Sequence, residues 1–510
     1  MRKKENRRQK INKIAAIDKI KLVSKETIKN CNTLITNWSF AKKPFFILVI
    51  IYTIAFSAIF RANFNYIDDM GRAYAGYKEW NNFSRYTSYY LSTVIHGNNY
   101  LTDVSPFPQF ISILFLSLSS IILIYVINGT KKITLGEIIA TLPLGLCPFF
   151  LECISYKFDS PYMALSILAS IFPLLFYKKV LPFSCAVFIS TLIMCTTYQA
   201  ASGIFPMLVV LLCFNHWNEG RPWKEVGKFF CASVFSYGFA ILFFQQFIMK
   251  PATSYASNSL PALQNMPFTV YGHFKKYFYI IYKSFNKSWI FLIFLSIFLF
   301  IFISVKYSKK NKIISLLLSF GTALIMLLLS FGLYAFLEKP LFAPRSMYGF
   351  GILIALFGVA NSSSNKKNYC AKIVCLVLGW LFFVFSFTYG NALSTQKEYA
   401  DFRTEMIINT MNELPIFSTE ETKKVQLTGS VGYAPAVENA ISHYPILSNL
   451  VPINCSGPWW WGYYKFANYY KLKNIAVVTD LGIDYELPVL TDTMYFTIRG
   501  DNQYILIELK

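Results

Sequence analysis

The stretch PFFILVIIYTIAFSAIF, residues 44–60, holds no charged residue. As an α-helix it would rise about 26 Å, close to the ~30 Å hydrocarbon core of a bilayer. Thirteen Lys or Arg precede it within residues 1–43. This long basic leader and the lack of a small-residue cleavage site distinguish the run from a signal peptide. We therefore predict a transmembrane helix with a cytoplasmic N-terminus.

Apolar runs of helical length recur along the chain and predict a polytopic α-helical membrane protein of about eleven spans. The predicted spans are residues 44–60, 107–127, 138–154, 160–177, 180–197, 203–214, 229–249, 288–305, 313–337, 346–360 and 373–391.

The overall composition supports this fold class. Only 15% of the 510 residues are charged and mean hydropathy is +0.42, whereas soluble domains carry about 25% charged residues. These values exclude a soluble enzyme, a disordered chain and a fibrous repeat. The net charge of +22 does not indicate nucleic-acid binding, because the basic residues cluster in short loops beside the spans.

The distribution of Lys and Arg predicts the sidedness of the loops. With the N-terminus inside, each predicted cytoplasmic loop contains Lys or Arg: 128–136, 178–179, 215–228, 306–312 and 361–372. The predicted outside loops include 61–106, 250–287 and 338–345. Residues 1–43 form a cytoplasmic basic segment, in which 15–38 have the spacing of a helix on the membrane surface.

The composition changes at about residue 392. Residues 392–510 contain 9 Lys or Arg and 13 Asp or Glu. We predict a small extracytoplasmic α/β domain, with a helix over 397–413. The predicted strands are Lys424–Thr428, Ile475–Thr479, Met494–Ile498 and Tyr504–Leu509, with a hairpin turn at 500–503.

The most informative polar stretch follows the first predicted span. Asp68 and Asp69 are adjacent there, with Arg72 and Arg85 close behind. A carboxylate can take a proton from an attacking hydroxyl, and arginine can bind a phosphate in bidentate fashion. We predict a site in the outside loop 61–106; the alternative is a solvated turn with surface ion pairs.

A second polar cluster lies at the end of the third predicted span. Glu152, Lys157 and Asp159 are ionisable residues at membrane depth, which usually line a cavity or pair with one another. They are candidate substrate-binding residues, and a purely structural charge network is an equal alternative.

Further candidates lie at other predicted outer ends. Tyr198 and Gln199 could bind sugar hydroxyls, although packing explains their small-residue run. Arg345 could bind a lipid-linked phosphate or simply extend to the headgroups. Trp460 and Trp461 could contact a sugar, the membrane interface or the core of the outer domain.

Cysteine and histidine show no metal or redox motif. The ten Cys include no CxxC pair and the four His are dispersed. We predict no bound cofactor from these residues. A divalent cation between the carboxylates and a phosphate stays open as an alternative.

Four motifs together resemble the GtrII-type bacterial glucosyltransferases that modify O-antigen. They are Ile67–Arg72 (IDDMGR), Leu151–Leu165 with the run SYKFDSPYMAL, Tyr198–Gly203 (YQAASG) and Pro344–Gly349. The likeness covers about residues 60–360 and is weaker in the C-terminal part.

This resemblance implies a membrane-embedded (GT-C-like) glycosyltransferase in the bacterial inner membrane. The implied donor is undecaprenyl-phosphate glucose, and the implied acceptor is lipid-linked O-antigen on the periplasmic face. By the same analogy Asp68 or Asp69 is the catalytic base. Arg345, helped by Arg72 or Arg85, neutralises the departing phosphate.

Three other functions remain open from the sequence. A lipid or glycan transporter would have many spans, but no duplicated halves are visible. An O-antigen polymerase or ligase would use charged outside loops as well. A structural subunit could recruit partners through residues 392–510.

Overall fold

The structure is a computed structural model. It describes residues 39–129, 132–250, 260–363, 368–418, 420–457, 460–468, 470 and 474–510. The surface helix expected over residues 15–38 lies outside the described residues. Most of the described chain is helical, and a small sheet follows near the C-terminus.

The helices follow one another with short connections. They are α1 (Ser39–Ala62), α2 (Asp68–Ala75), α3 (Tyr86–His96), α4 (Phe107–Asn128), α5 (Leu135–Thr141), α6 (Pro143–Leu146), α7 (Pro148–Ser155), α8 (Ser160–Ile171), α9 (Val180–Thr197), α10 (Ile204–Asn218), α11 (Trp223–Phe243), α12 (Met266–Ser284), α13 (Lys287–Lys306), α14 (Lys312–Leu329), α15 (Pro344–Met347), α16 (Gly349–Ser362), α17 (Tyr369–Glu413), α18 (Pro435–His443), α19 (Leu447–Leu450) and α20 (Trp460–Ala467).

Within the described residues, eight helices are long and apolar enough to cross a membrane, or nine if one bent pair counts as a span. The predicted number of eleven is therefore not confirmed. The run 138–154 is the bent pair, and its two parts meet at 62°. The runs 160–177 and 346–360 form the shorter helices α8 and α16, which are almost entirely buried.

Proline explains the bend in the third predicted span. Pro143 and Pro148 begin α6 and α7, and the chain is extended at Cys147 between them. Proline has no N–H for the helix ladder and its ring clashes with the preceding turn, so a helix restarts there. Such a break is tolerated at membrane depth only where protein surrounds it. All residues from Pro143 to Ser155 are buried.

The C-terminal sheet has five strands in the described chain, in the order β2-β1-β5-β4-β3. They are β1 (Lys423–Gly429), β2 (Ile475–Val478), β3 (Val489–Asp492), β4 (Phe496–Gly500) and β5 (Tyr504–Leu509). The strands β2 and β5 pair in parallel with β1, and the others pair antiparallel. Four of the five strands correspond to predicted ones, and β3 was missed.

The helix α17 joins the membrane part to the sheet. It runs unbroken across residue 392, where the composition changes, and it contains the predicted helix 397–413. Its buried Arg403 donates hydrogen bonds to the backbone oxygens of Tyr495 and Lys510, both at 2.7 Å. The guanidinium also lies 4.7 Å from the Tyr495 ring. This side chain therefore anchors the sheet to the helix.

The packing of α17 against α1 is close at one position. Ser386 Oγ donates to the Ala55 carbonyl at 2.7 Å. One turn further, a Cβ on Gly390 would lie 2.5 Å from the carbonyl carbon of Ala58. The two backbones can approach this closely only because residue 390 has no side chain.

The Gly390→Ala substitution should destabilise the protein, because the added methyl group forces α17 away from α1. Overpacking of this kind costs about 1–3 kcal/mol. Gly238→Ala on α11 is the matched control, since a Cβ there meets nothing within 4 Å. Thermal unfolding in detergent should show a lower midpoint for Gly390→Ala alone. Equal midpoints for both variants would contradict the close packing.

Candidate active site

The site is built on the turn that leads from α1 into α2. The backbone of Asn63 and of Ile67 has positive φ, at 44° and 43°. Such angles are rare for a β-branched residue, and backbone strain often accompanies functional sites. The turn places Asp68 and Asp69 in the first turn of α2.

Asp69 is completely buried. Its Oδ2 accepts the N–H of Tyr66 at 3.1 Å and the N–H of Lys157 at 2.9 Å. Its Oδ1 has no hydrogen-bond partner in the described chain. Burial raises the pKa of this carboxyl to about 7, against the opposing effects of the two N–H groups, Arg72 and Lys157. A carboxyl with such a pKa can exchange protons near neutral pH.

Asp68 has a different environment. It is half-buried and forms no hydrogen bond or ion pair with the described residues. The two carboxyls that the sequence could not rank are thus distinguished by burial. Asp69 is the perturbed group, and Asp68 is the more accessible one.

The ionisable residues after α7 do not form a network among themselves. Lys157 Nζ donates to Asn65 Oδ1 at 2.7 Å and pairs with Asp103 at 2.8 Å. Asp159 pairs with Arg72 and accepts a hydrogen bond from the Trp80 indole at 2.5 Å. Each of these two charges therefore pairs with loop 61–106. Asp103 was not predicted, because it stands apart from the other acidic residues of that loop and belongs to no motif.

Arg72 also contacts an aromatic ring. Its guanidinium carbon lies 4.6 Å from the centroid of Trp80. With Asp159 on one side and Trp80 on the other, this arginine is buried and electrically compensated. Through the ion pair with Asp159, it connects loop 61–106 to the segment after α7.

Glu152 and Arg345 form a further buried pair. Glu152 is 2% exposed and accepts the backbone N–H of Arg345 at 2.6 Å as well as its guanidinium. Arg345 therefore does not simply extend to the lipid headgroups. Its guanidinium carbon lies 5.8 Å from the ring of Tyr156, whose other neighbour is the ring of Tyr66 at 4.9 Å. Through these two rings the pair adjoins the loop of Asp69.

Arg85 has no acidic partner in the described chain. Its guanidinium carbon lies 4.7 Å from the Tyr198 ring, and its Nε is buried without a hydrogen bond. It lines a cavity of about 150 Å³ together with Gln199. The other lining residues are mainly apolar side chains of α9, of α11 and the turn that follows it, and of the segment 333–341: Met194, Cys195, Ile241, Phe244, Leu333, Leu337 and Leu341.

The YQAASG run is divided between a packed half and a half beside Arg85, and sugar binding by Tyr198 and Gln199 stays a prediction. Ser202 accepts the N–H of Leu333 at 2.9 Å, and Gly203 lies against the Leu329 carbonyl. This half of the run is packing. Tyr198 contacts Arg85 and also stacks on Tyr348 at 6.1 Å, so the other half faces the cavity side.

The C-terminal part holds the turn of Asp69 from the opposite side. Tyr66 Oη donates to the Leu450 carbonyl at 2.8 Å, and Asn454 donates to the Asn65 carbonyl at 3.0 Å. Asn468, just beyond α20, donates to the Met70 carbonyl at 3.0 Å. None of these contacts was predicted, because single polar residues in a loop carry no pattern.

Trp460 and Trp461 are the first residues of α20, and their side chains lie outside the described part of the structure. The helix itself packs on α2, where Tyr464 approaches Gly71. Among the described residues no group of three or more His, Cys, Asp or Glu could hold a metal ion.

Comparison with known proteins places these residues in a family context. Residues 57–356, more than half of the chain, match the model of the glucosyl transferase GtrII family. An uncharacterized 55.3 kDa protein from the gtrB 5' region of Salmonella phage P22 is 23% identical over 433 residues. That alignment covers 81% of this chain and 87% of the phage protein. No solved structure matches the chain.

The buried carboxyl of Asp69 should make stability depend on pH. Its pKa is about 7 in the folded protein and near 3.9 in an unfolded chain. The folded state therefore binds the proton more tightly, and stability is lost as the pH rises from about 4 through 7. Between pH 5 and pH 8 the loss should be about 2–3 kcal/mol.

Asp69→Asn should remove that loss, because an amide binds no proton in this range, and should be more stable than the wild type at pH 8. Chemical unfolding in detergent at pH 5 and pH 8 measures the difference. Asp68→Asn is the control and should keep the pH dependence of the wild type. Equal pH dependence in all three proteins would show that Asp69 has an ordinary pKa.

Proposed function

This chain belongs to the glucosyl transferase GtrII family, and from that premise we propose that it transfers glucose from undecaprenyl-phosphate glucose to lipid-linked O-antigen. We place the reaction on the periplasmic face of the bacterial inner membrane. The observation that carries the proposal is the buried carboxyl of Asp69, whose Oδ1 is free to accept a proton.

In the proposed reaction Asp69 is the general base. Its Oδ1 takes the proton of an acceptor hydroxyl while the hydroxyl oxygen attacks C1 of glucose. The bond from C1 to the phosphate oxygen breaks, and its electron pair leaves with the undecaprenyl phosphate. The attack comes from the face opposite the phosphate, so the anomeric centre inverts. The acceptor approaches on the side of the half-buried Asp68.

We assign the donor phosphate to Arg85 rather than to Arg345 or Arg72. Arg345 is compensated by Glu152, and Arg72 by Asp159. Arg85 has no acidic partner in the described residues and lies on a cavity with mainly apolar walls. A cation beside an apolar cleft suits a phosphate that carries a prenyl chain. Lys339 on the same cavity adds a second positive charge.

The two halves of the proposed site meet at the segment 344–349. Arg345 lies over Tyr156 beside the loop of Asp69, whereas Tyr348 stacks on Tyr198 beside Arg85. We propose that this segment holds the sugar between base and phosphate. The Glu152–Arg345 pair then orients the sugar.

A transfer assay in liposomes tests the assignment. Purified protein is supplied with radiolabelled undecaprenyl-phosphate glucose and a short lipid-linked O-antigen acceptor. Asp69→Asn should transfer glucose about 10²–10⁴-fold more slowly than the wild type, because the general base is gone. Arg85→Gln should transfer glucose about 10²–10³-fold more slowly, because the charge on the leaving phosphate is less well stabilised.

The exposed Arg61 at the end of α1 offers a matched control, and Arg61→Gln should transfer at the wild-type rate. Full activity of Asp69→Asn with loss in Asp68→Asn would move the base to Asp68. Label that crosses the bilayer without reaching the glycan would favour a transporter instead.

The rate of transfer should rise with pH over the range in which stability falls, because both depend on deprotonation of Asp69. A base with a pKa of about 7 is active when deprotonated, so kcat/KM for the free enzyme should fall about tenfold per pH unit below 7. The residual rate of Asp69→Asn should not show this fall below pH 7. A wild-type profile that stays flat from pH 5 to pH 8 would argue against Asp69 as the base.

A further inference from the structure

We propose that the end of the helical bundle opposite Asp69 holds a second site, which binds the headgroup of an anionic phospholipid. The site is a cavity of about 600 Å³. It is formed by the C-terminal ends of α4 and α10 and the N-terminal ends of α9 and α11. Ligand pockets in proteins commonly have volumes of about 300–1,000 Å³. Nothing in the transfer reaction requires this cavity.

The cavity lies a full membrane thickness from the proposed active site. The first residues of α4 follow Asp103, which pairs with Lys157 in that site. Tyr125 and Val126 near the end of α4, and Gly129 just beyond it, line the cavity. A helix of 22 residues spans about 33 Å, close to the hydrocarbon thickness of a bilayer. The cavity therefore lies at the level of the opposite headgroups.

The rim of the cavity is positively charged. Lys178, Arg221 and Lys228 line it, with Glu225 as the one acid among its lining residues. Lys178 and Lys228 have no ion pair in the described chain. Arg221 has only a 4.0 Å contact with the exposed Glu219, which is too weak and too solvated to neutralise it. These cations are thus available to a phosphate.

The interior of the cavity is aromatic and apolar. The buried Phe183 and Phe229 and the half-buried Tyr125 and Tyr177 line it, together with the buried His216, whose ring centroid lies 5.5 Å from that of Tyr177. Trp223 at the start of α11 is 65% exposed, as is typical of aromatic side chains at a membrane interface. A soluble anion would use the rim alone.

A phospholipid fits both parts of the cavity. Its phosphate can contact the three cations while the upper parts of its acyl chains contact the rings. Basic pockets between transmembrane helices bind anionic lipids by this combination of charge and apolar contact. We therefore commit to a diacyl lipid with a net negative charge, such as phosphatidylglycerol.

Native mass spectrometry of the full chain tests the proposal. Delipidated protein in detergent is titrated with phosphatidylglycerol and, separately, with phosphatidylcholine. The wild type should retain one phosphatidylglycerol at least about tenfold more tightly than phosphatidylcholine. The triple variant Lys178→Gln, Arg221→Gln and Lys228→Gln should lose that preference, because the phosphate then meets no positive charge.

A second triple variant controls for net charge. Lys179→Gln, Lys224→Gln and Lys309→Gln remove the same charge from the same end of the bundle but from residues that do not line the cavity. This variant should keep the wild-type preference. Equal losses in both triple variants, or no preference in the wild type, would overturn the proposal. Displacement of the lipid by inorganic phosphate would also overturn it, since the site would then bind a free anion.

Discussion

Two backbone hydrogen bonds to one buried carboxylate hold the candidate site together. Asp69 Oδ2 accepts the N–H of Tyr66 from its own turn and the N–H of Lys157 from the segment after α7. Because both donors are backbone groups, the carboxylate fixes the paths of two loops relative to each other. The ion pairs of Lys157 with Asp103 and of Asp159 with Arg72 then join the same two segments.

Such an arrangement costs stability. A fully buried carboxyl with one unpartnered oxygen and a pKa of about 7 is unfavourable in its charged form. Conflicts of this kind are expected where function, rather than folding, determines the residue. The C-terminal part offsets some of the strain, because Leu450, Asn454 and Asn468 hold the turn through hydrogen bonds. The C-terminal part therefore belongs to the site as a support.

The membrane part and the sheet were predictable to different extents. Eight of the predicted spans correspond to the apolar helices that are long enough to cross a membrane. The runs 160–177 and 346–360 form shorter buried helices, and their assignment as spans stays a prediction, because an apolar composition is the same whether a helix faces lipid or protein. In the sheet, β1, β2 and β5 followed from their β-branched residues, whereas the four-residue β3 directly follows Pro488 and ends in Asp492, two residue types that are depleted in strands.

The sequence by itself determined the membrane class of this protein, the polar loop 61–106 that carries Asp68 and Asp69, and its family. These depend on composition and on local motifs, which a single chain displays directly. Only the tertiary structure decided which carboxyl is buried, which arginines are compensated and that Arg85 lines the apolar cavity. The physical reason is that burial and ion pairing depend on residues such as Glu152 and Arg345, which are far apart in the chain and meet only when the helices pack.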